Sequence, residues 1–245
     1  MAGRQDTNSA HSSRQREWKS PRLRPVVGIT TDLLDHNNVE RVAASRAYAA
    51  RVTDAGGLPI LLHPDELLVP DVLKRCDAFV LTGGDDPVTE PFGEPTHSEA
   101  VRVKPARQAF ETALLHALES ARPEAPVLGV CLGMQMMALI AGGRLDQHMP
   151  DSIGEDAARA HWNAEHAIGP EPGCSLLAGG RSHSKHRQRI EDPGSLRVAA
   201  RAHDGVIEAV YDPGRPFYLG VQWHPERTGE VTLGAALFER LLQSV

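Results

Sequence analysis

Short apolar runs alternate with helix-like segments along the first half of the chain. Four runs are apolar at nearly every position, and they predict strands at residues 25–30, 58–64, 77–84 and 126–130. The segments around them predict helices over residues 39–57, 66–76 and 106–121. Strands that are apolar throughout are typical of a parallel sheet with helices on both faces. The pattern therefore predicts an α/β fold.

The second half of the chain has a different pattern. Between Ser195 and Pro225, the segments SLRVAARA, GVIEAVYD and PFYLGVQWHP are separated by HDG and DPGR. Glycine and proline at these positions are typical of turns. We therefore expect antiparallel strands that extend the same sheet, followed by a closing helix over residues 232–244.

Composition indicates one globular domain. Of the 245 residues, 41% are hydrophobic and 24% are charged, which is an ordinary globular balance. Residues 1–24 differ because they are poor in apolar residues and positively charged. We predict a disordered tail over residues 1–24 and a single domain over residues 25–245.

Charge and cysteine content exclude several classes of protein. The net charge of −6 provides no basic surface for nucleic acid or an anionic membrane. No apolar segment reaches the length of about 18 residues that suggests a membrane span. The three cysteines are too few and too widely spaced for a disulfide framework. The expected location is therefore the reducing cytoplasm.

Cys131 stands between two glycines in GVCLG, after a predicted buried strand and before a helix-like run. A G-x-nucleophile-x-G sequence in this context is typical of a nucleophile elbow, a strained turn that exposes its central side chain. At a helix N-terminus, unpaired N–H groups also favour the thiolate. Free cysteines are, however, among the most buried residues of proteins. The pentapeptide alone leaves both interpretations open, a nucleophile and a structural side chain.

His224 and Glu226 flank a proline in GVQWHPE. Pro225 disfavours the helical conformation of His224, so the tripeptide is expected to be extended, with alternate side chains pointing the same way. Glu226 would then orient the His224 imidazole, which supplies the base and carboxylate of a Cys–His–carboxylate relay. A surface turn could contain the same three residues, and the hypothesis depends on the pairing with Cys131.

The glycine pair Gly83–Gly84 follows a predicted strand in FVLTGGDDP. Glycines at the carboxyl end of a parallel strand allow backbone N–H groups to face the crevice in which ligands bind. One such N–H, with that of Leu132, would form an oxyanion hole. An ordinary strand-to-loop turn would also explain the pair.

Metal and cofactor signals are weak in this sequence. The chain has neither a phosphate-binding G-x-x-x-x-G-K-[ST] motif nor a dinucleotide-binding fingerprint. Its histidines have no recognised zinc-ligand spacing, and His161 and His166 are expected to be exposed or hydrogen-bonded. We therefore predict no metal and no organic cofactor.

In this order and on this scaffold, TGGDDP, GVCLGMQ and GVQWHPE resemble the class I glutamine amidotransferase superfamily. Within it, the chain is most similar to the gamma-glutamyl-gamma-aminobutyrate hydrolases, which are free-standing enzymes. The resemblance covers nearly everything after residue 25, including Arg107 and Glu111 in an R-x-x-x-E pattern. It implies a flavodoxin-like three-layer α/β sandwich with a central, mostly parallel sheet and added antiparallel strands.

The resemblance also implies an activity and its residues. Cys131 would be the nucleophile, His224 the general base and acid, and Glu226 the carboxylate that orients His224. Gly84 and Leu132 would supply the oxyanion-hole amides. The implied reaction is hydrolysis of a gamma-glutamyl amine, such as gamma-glutamyl-aminobutyrate or a polyamine conjugate, through a thioester and without a cofactor.

Three further residues match positions near the substrate in this family. Gln135 would contact the glutamyl group, and Ser184 and His186 lie in the segment SHSKHRQ, where the hydrolases have an Asn-Ser-x-His pattern. The expected partner is a small gamma-glutamyl substrate rather than nucleic acid or a membrane, and the chain is compatible with a homodimer.

The sequence departs from the hydrolases near the expected leaving-group side. Leu132 replaces a common arginine and gives the CLG of glutamine amidotransferases, and His183 and Arg187 also differ from the hydrolase pattern. An alternative is therefore a glutaminase subunit that delivers ammonia to a separate synthase. A second alternative, a non-catalytic member of the fold, is disfavoured by the intact Cys, His and Glu.

Overall fold

A mixed sheet of eleven strands dominates the computed structural model, which describes residues 23–245. The strands, which include a separate two-stranded hairpin, are β1 Val26–Ile29, β2 Asp32–His36, β3 Val39–Ala43, β4 Leu58–Leu61, β5 Ala78–Leu81, β6 Val127–Val130, β7 Arg144–Asp146, β8 Trp162–Pro170, β9 Gly180–Lys185, β10 Arg189–Asp192, β11 Arg197–Ala202, β12 Ile207–Tyr211 and β13 Tyr218–Val221. The helices are α1 Arg46–Asp54, α2 Val69–Arg75, α3 Pro105–Ala121, α4 Leu132–Ile140, α5 Met149–Ile153, α6 Glu155–Arg159 and α7 Ala235–Gln243.

The sheet has a parallel core and an antiparallel extension. Its main order is β4-β1-β5-β6-β13-β12-β11-β8-β9, and the first five of these strands are parallel. From β12 onward the pairing is antiparallel, with β10 and β7 attached beside β12. The predicted α/β class, with a parallel core and added antiparallel strands, is confirmed. Strand β13 was expected to pair only in antiparallel fashion, but it also pairs in parallel with β6.

Helices cover both faces of the parallel core, as its uniformly apolar strands predict. In β5, Phe79 and Leu81 pack into a cluster with α3 and α4, whereas Ala78 and Val80 pack into a second cluster with α1 and α7. Successive side chains of a strand point to opposite faces, so a strand buried on both faces is apolar at every position. Full burial of one such side chain contributes about 1.5–3 kcal/mol.

The predicted helix over residues 39–57 is wrong in its first third. Residues Val39–Ala43 form β3, which pairs with β2 in a hairpin outside the main sheet. The turn residues Asn37 and Asn38 have φ of 52° and 60°, and two successive positive values are typical of a tight hairpin turn that asparagine tolerates. Helix α1 begins only at Arg46, after the Ser45 side chain accepts a hydrogen bond from the Ala47 N–H.

The remaining predictions agree with the observed elements to within a few residues. The strands at 25–30, 58–64, 77–84 and 126–130 contain β1, β4, β5 and β6, and the other helices contain α2, α3 and α7. Strands β7 to β10 and the short helices α5 and α6 were not predicted. The predicted tail, residues 1–24, lies almost entirely outside the described residues. Within residues 23–245, no helix has the length and hydrophobicity that a membrane crossing requires.

Two glycines allow α4 to pack directly against the sheet. A Cβ atom on Gly133 would lie 2.5 Å from the carbonyl oxygen of Leu81 in β5. A Cβ atom on Gly129 would lie 2.3 Å from Met137 Sδ and 2.9 Å from the carbonyl carbon of Gly133. Because some of these neighbouring atoms belong to the backbone, a change of side-chain rotamer cannot make room for the added Cβ. The two outer glycines of GVCLG therefore set the distance between α4, β6 and β5.

We predict that Gly133→Ala destabilises the protein by about 1–3 kcal/mol, the usual effect of overpacking a core. Urea denaturation measures the change. Gly169→Ala is the matched control, because a Cβ atom at Gly169 meets nothing within 4 Å. Equal unfolding free energies for the two variants would contradict this account of the packing.

Candidate active site

Three neighbouring parallel strands end at the same edge of the sheet and place the predicted motifs together. Strand β6 lies between β5 and β13. The chain leaves β5 at Thr82–Gly84, leaves β6 at Cys131 and leaves β13 toward His224. Loops at the carboxyl ends of parallel strands form the usual ligand crevice of α/β sheets.

Cys131 occupies a strained turn between β6 and α4. Its φ is 51° and its ψ is −103°, a backbone conformation that non-glycine residues rarely adopt. The thiol lines a cavity, where Gln222 Nε2 donates to Sγ at 3.5 Å and the Lys185 carbonyl oxygen lies 3.9 Å from it. This turn is the elbow that the glycine spacing predicts. The side chain is nevertheless largely buried, so it combines the two properties that the sequence presented as alternatives.

His224 and Glu226 meet as the His-Pro-Glu sequence predicts. His224 Nδ1 lies 2.8 Å from Glu226 Oε1, and Glu226 is buried. The backbone fixes the ring position, because the His224 N–H donates to the His183 carbonyl at 2.8 Å and the His224 carbonyl accepts from Thr228. The carboxylate thus holds Nδ1 and leaves Nε2 available toward the thiol.

The surroundings of His224 favour the imidazolium. Burial alone lowers its pKa, but the hydrogen bonds and charges of Cys131 and Glu226 outweigh burial and raise the pKa to about 9. His224 is therefore protonated at neutral pH. An imidazolium beside a cysteine is the arrangement that stabilises a thiolate.

The glycine pair lies against the cysteine and the histidine. A Cβ atom on Gly83 would lie 2.9 Å from His224 Cε1 and 3.4 Å from the Cβ of Cys131. The Gly83 N–H donates to the Tyr48 hydroxyl at 3.0 Å, whereas the Gly84 N–H has no acceptor within the described part of the chain. Leu132 is the first residue of α4, and its N–H has no acceptor inside the helix. The two predicted oxyanion-hole amides are thus not used by the helix or the sheet.

Two buried glutamines connect α4 to the thiol. Gln135 lies one turn along α4, and its Nε2 is 3.4 Å from Gln222 Oε1 and 3.5 Å from the Gln188 carbonyl. Gln222 in turn donates to Cys131 Sγ. Sequence reasoning identified Gln135 but missed Gln222, although Gln222 stands two positions before His224 in an extended segment and therefore on the same side.

Of the two predicted substrate contacts in SHSKHRQ, His186 lines the cavity and Ser184 does not. His186 lines the cavity that contains Cys131, and its Nδ1–H donates to the Gln188 carbonyl at 2.9 Å. Ser184 is fully buried and its hydroxyl pairs with His166 Nε2 at 3.0 Å, so it is not among the cavity-lining residues. Ser184 lies within β9, whereas His186 lies just past the end of this strand at Lys185.

A buried carboxylate behind the cavity was not predicted. Glu208 Oε1 lies 3.1 Å from His161 Nδ1, 3.2 Å from His166 Nε2 and 3.5 Å from His186 Nε2. His161 Nε2 is also 2.8 Å from Asp204 Oδ2. Burial alone raises the pKa of Glu208, but its interactions with the histidines, above all His161, outweigh burial and hold the pKa well below its usual range. This cluster links β8 and β12 to the loop after β9, where His186 lines the cavity.

Two groups of side chains have the spacing of metal ligands. One is His161, His166 and Glu208 in the buried cluster, and the other is His97, His148 and Asp151 nearer the surface. In both groups, one ring nitrogen of each histidine lies within 3.3 Å of a carboxylate oxygen.

A cavity of about 520 Å³ is lined by Cys131 and His224. Its walls carry both signs of charge, with Asp85 and Asp86 after β5 and with Lys185 and Arg187 around the end of β9. Lys185 Nζ and the Arg187 guanidinium lie 5.4 Å and 4.3 Å from the ring centre of Trp162, which also lines the cavity. The volume suits a small molecule, and the walls can pair with groups of either charge.

The sequence profile of the Peptidase C26 family matches residues 25–226. This chain belongs to the Peptidase C26 family. The family is class I glutamine amidotransferase-like, which confirms the resemblance seen in the sequence, and it makes this protein a hydrolase or amidotransferase-like enzyme.

Individual relatives carry names of two kinds. A Mycobacterium tuberculosis protein, provisionally named a glutamine amidotransferase, is 36% identical over 84% of this chain and 70% of its own length. The gamma-glutamyl-gamma-aminobutyrate hydrolase of Escherichia coli K12 is 30% identical over 88% of this chain and 91% of its own length. Among solved structures, a Thermotoga maritima glutamine amidotransferase has a TM-score of 0.55 at 13% identity, with 84% and 77% of the two chains covered. The last comparison supports the fold.

We predict that Glu208→Gln lowers the free energy of unfolding by about 1–3 kcal/mol at pH 7, because a buried network loses a charged acceptor. The carboxyl pKa is lower in the folded state, so the stabilisation is present above an unfolded-state pKa of about 4.3 and is lost as the pH falls below it. The difference between wild type and variant should shrink in acid. Urea denaturation at several pH values measures it, with exposed Glu239→Gln as control.

Proposed function

We propose that this protein hydrolyses gamma-glutamyl amides of small amines, releasing glutamate and the free amine. One observation carries the proposal. A strained cysteine lies at the edge of a cavity beside a histidine that a buried carboxylate holds, with unused backbone amides next to both. Membership of the Peptidase C26 family and relatives named gamma-glutamyl-gamma-aminobutyrate hydrolase support it.

The proposed reaction has two halves. The Cys131 thiolate attacks the gamma-carbonyl carbon, and the tetrahedral oxyanion is stabilised by the N–H groups of Gly84 and Leu132. The C–N bond breaks as the His224 imidazolium donates its proton to the departing amine, which leaves a glutamyl thioester on Cys131. Neutral His224 then accepts a proton from water, hydroxide attacks the thioester, and glutamate leaves as the thiolate returns. Glu226 keeps the imidazole oriented throughout.

Gln135 and His186 fit roles in substrate binding. Both line the cavity, and both are fixed by hydrogen bonds to the Gln188 carbonyl. Rigid polar groups in a cavity of this size determine which substrate fits it. For Ser184, burial on the far side of β9 favours an indirect role through His166.

A glutaminase subunit that supplies ammonia to a separate synthase is the second candidate. The names of the amidotransferase relatives and Leu132 directly after the nucleophile favour it. The two functions share the chemistry of Cys131 and differ in the leaving group, which is an amine in one case and ammonia in the other.

Glutamate release from a panel of amides separates the two candidates. We expect the isolated protein to hydrolyse gamma-glutamyl-aminobutyrate or a gamma-glutamyl-polyamine with a higher kcat/KM than glutamine. A clear preference for glutamine, with slow turnover by the isolated chain, would support the glutaminase subunit instead.

We expect Cys131→Ser to lower turnover by at least about 10³-fold while the fold is retained, because the hydroxyl is a far weaker nucleophile at neutral pH. Glutamate release and circular dichroism measure the two effects. Cys174→Ser is the matched control, since Cys174 is only half-buried and lies outside the cavity. Substantial turnover by Cys131→Ser would reject the nucleophile.

The pH profile tests the role of His224. Its imidazolium must protonate the leaving amine, so kcat/KM should fall as the pH rises through about 9, the value to which the pKa of His224 is raised. Glu226→Gln removes a charge that raises this pKa, and we expect the alkaline limb to move to lower pH and kcat to fall by about 10²–10⁴-fold. An unchanged alkaline limb in the variant would contradict the assignment.

A further inference from the structure

Arg107 holds the two carbonyl groups that follow β5. Its Nη2 donates to the Thr82 carbonyl at 2.8 Å and to the Gly83 carbonyl at 3.2 Å. The side chain comes from α3 and is fully buried, and a Cβ atom on Gly84 would lie 2.4 Å from its Nη1. A buried guanidinium thus contacts the backbone of the glycine turn along its whole length.

Two carboxylates fix the guanidinium in place. Arg107 Nε lies 3.2 Å from Glu111 Oε1, and Nη1 lies 3.2 Å from Asp32 Oδ2. Burial opposes the charge, but the attraction of Glu111 and Asp32 outweighs burial and raises the pKa of Arg107. Because the guanidinium is planar and rigid, holding two of its nitrogens also directs the third. The R-x-x-x-E pattern of the sequence therefore serves the turn after β5.

Because each peptide bond is planar, the contact with Arg107 also fixes the direction of two N–H groups. In a trans peptide, the C=O of one residue and the N–H of the next point in opposite directions. With the Thr82 and Gly83 carbonyls directed at Arg107, the N–H groups of Gly83 and Gly84 must point away from it. The Gly83 N–H meets the Tyr48 hydroxyl at 3.0 Å, and the Gly84 N–H has no acceptor among residues 23–245.

Tyr48 occupies the opposite side of the turn, next to the nucleophile. The point that a Gly83 Cβ would occupy lies 3.4 Å from the Tyr48 hydroxyl oxygen and 3.4 Å from the Cβ of Cys131. Burial raises the pKa of Tyr48 well above its usual value, so the hydroxyl stays neutral and can accept the Gly83 N–H. Tyr48 thereby engages one of the two N–H groups and leaves the other free.

We propose that Arg107 and Tyr48 are positioning residues that set the oxyanion hole from opposite sides of one turn. Arg107 orients both peptides through their carbonyl groups. Tyr48 holds the Gly83 N–H, so that of these two amides only the Gly84 N–H faces the reacting carbonyl, beside the Leu132 N–H. This role rests on the proposed hydrolysis of gamma-glutamyl amides. It acts on the transition state, in which the negative charge on oxygen develops, and not on the bound substrate.

The test compares Arg107→Lys and Tyr48→Phe with wild type on the amide that wild type hydrolyses best. We expect Arg107→Lys to lower kcat by about 10²–10³-fold, the effect of losing one oxyanion-hole donor, and Tyr48→Phe to lower it by about 10-fold, with KM within about 3-fold of wild type. The glutamate gamma-aldehyde, which forms a tetrahedral adduct with a thiol, should bind more weakly by similar factors. Alkylation of Cys131 by iodoacetamide, which needs no oxyanion hole, should keep its rate.

Two control variants and a fold measurement separate positioning from general damage. Arg122→Lys alters an arginine that donates to the Leu73 carbonyl outside the cavity, and Tyr211→Phe removes a remote hydroxyl. Both should retain kcat. Thermal unfolding monitors all four variants, and if Arg107→Lys does not fold, Tyr48→Phe decides, because it removes only one oxygen atom.

The outcomes distinguish this inference from the function on which it rests. A wild-type protein that releases no glutamate from any amide rejects the proposed function. If wild type is active and both Tyr48→Phe and a folded Arg107→Lys variant keep full kcat, only the positioning roles are rejected. A rise in KM with unchanged kcat, or a parallel loss of iodoacetamide reactivity, also rejects them, since either would show that the residues act on substrate binding or on the thiol itself.

Discussion

The site depends on the close contact between α4 and the strands beneath it. Gly129 and Gly133 allow that contact, and between them Cys131 must leave β6 with a positive φ to enter the helix. The strain at Cys131 amounts to about 1–3 kcal/mol, and the buried helix that follows it compensates for this cost. Met134, Met136 and Met137 on that helix are fully buried and pack in its core contact. The same contact places Cys131 at the start of α4, next to the Leu132 N–H.

The parallel half of the fold and the centre of the site follow from local features of the sequence. The uniformly apolar strands identify β1, β4, β5 and β6, and glycine pairs or a proline mark the turns after β5, β6 and β13. Because parallel strands end at one edge, the pattern alone places Gly84 near Cys131. His224 was linked to Cys131 by the Cys–His–carboxylate relay, since the parallel pairing of β13 with β6 was not expected. The Cys131 turn and the His224–Glu226 contact depend only on neighbouring residues, which explains why the pattern reveals them.

The parts that the sequence did not reveal depend on contacts between distant residues. Glu208 interacts with three histidines, from the turn before β8, from β8 and from the loop after β9, and no periodicity relates these positions. Arg107 reaches the turn after β5 from α3, so its R-x-x-x-E pattern identifies the partner Glu111 but not the carbonyl groups. Strand β3 was predicted as the start of a helix because its apolar residues have ambiguous spacing, although Asn37–Asn38 is a turn signal. Ser184 could be placed near the site but not on its correct side without the register of β9.

The parallel and antiparallel halves of the sheet supply different parts of the cavity. The strained turn and the glycine pair lie on the parallel half, where a change of one atom disturbs the packing of several elements. Trp162, Lys185 and Arg187 line the same cavity from the antiparallel half, on or just after β8 and β9, and their side chains are exposed. Substitutions on that wall alter the shape and charge of the cavity without adding strain to the turn at Cys131. The shape and charge of the cavity can therefore change independently of the packing that holds Cys131.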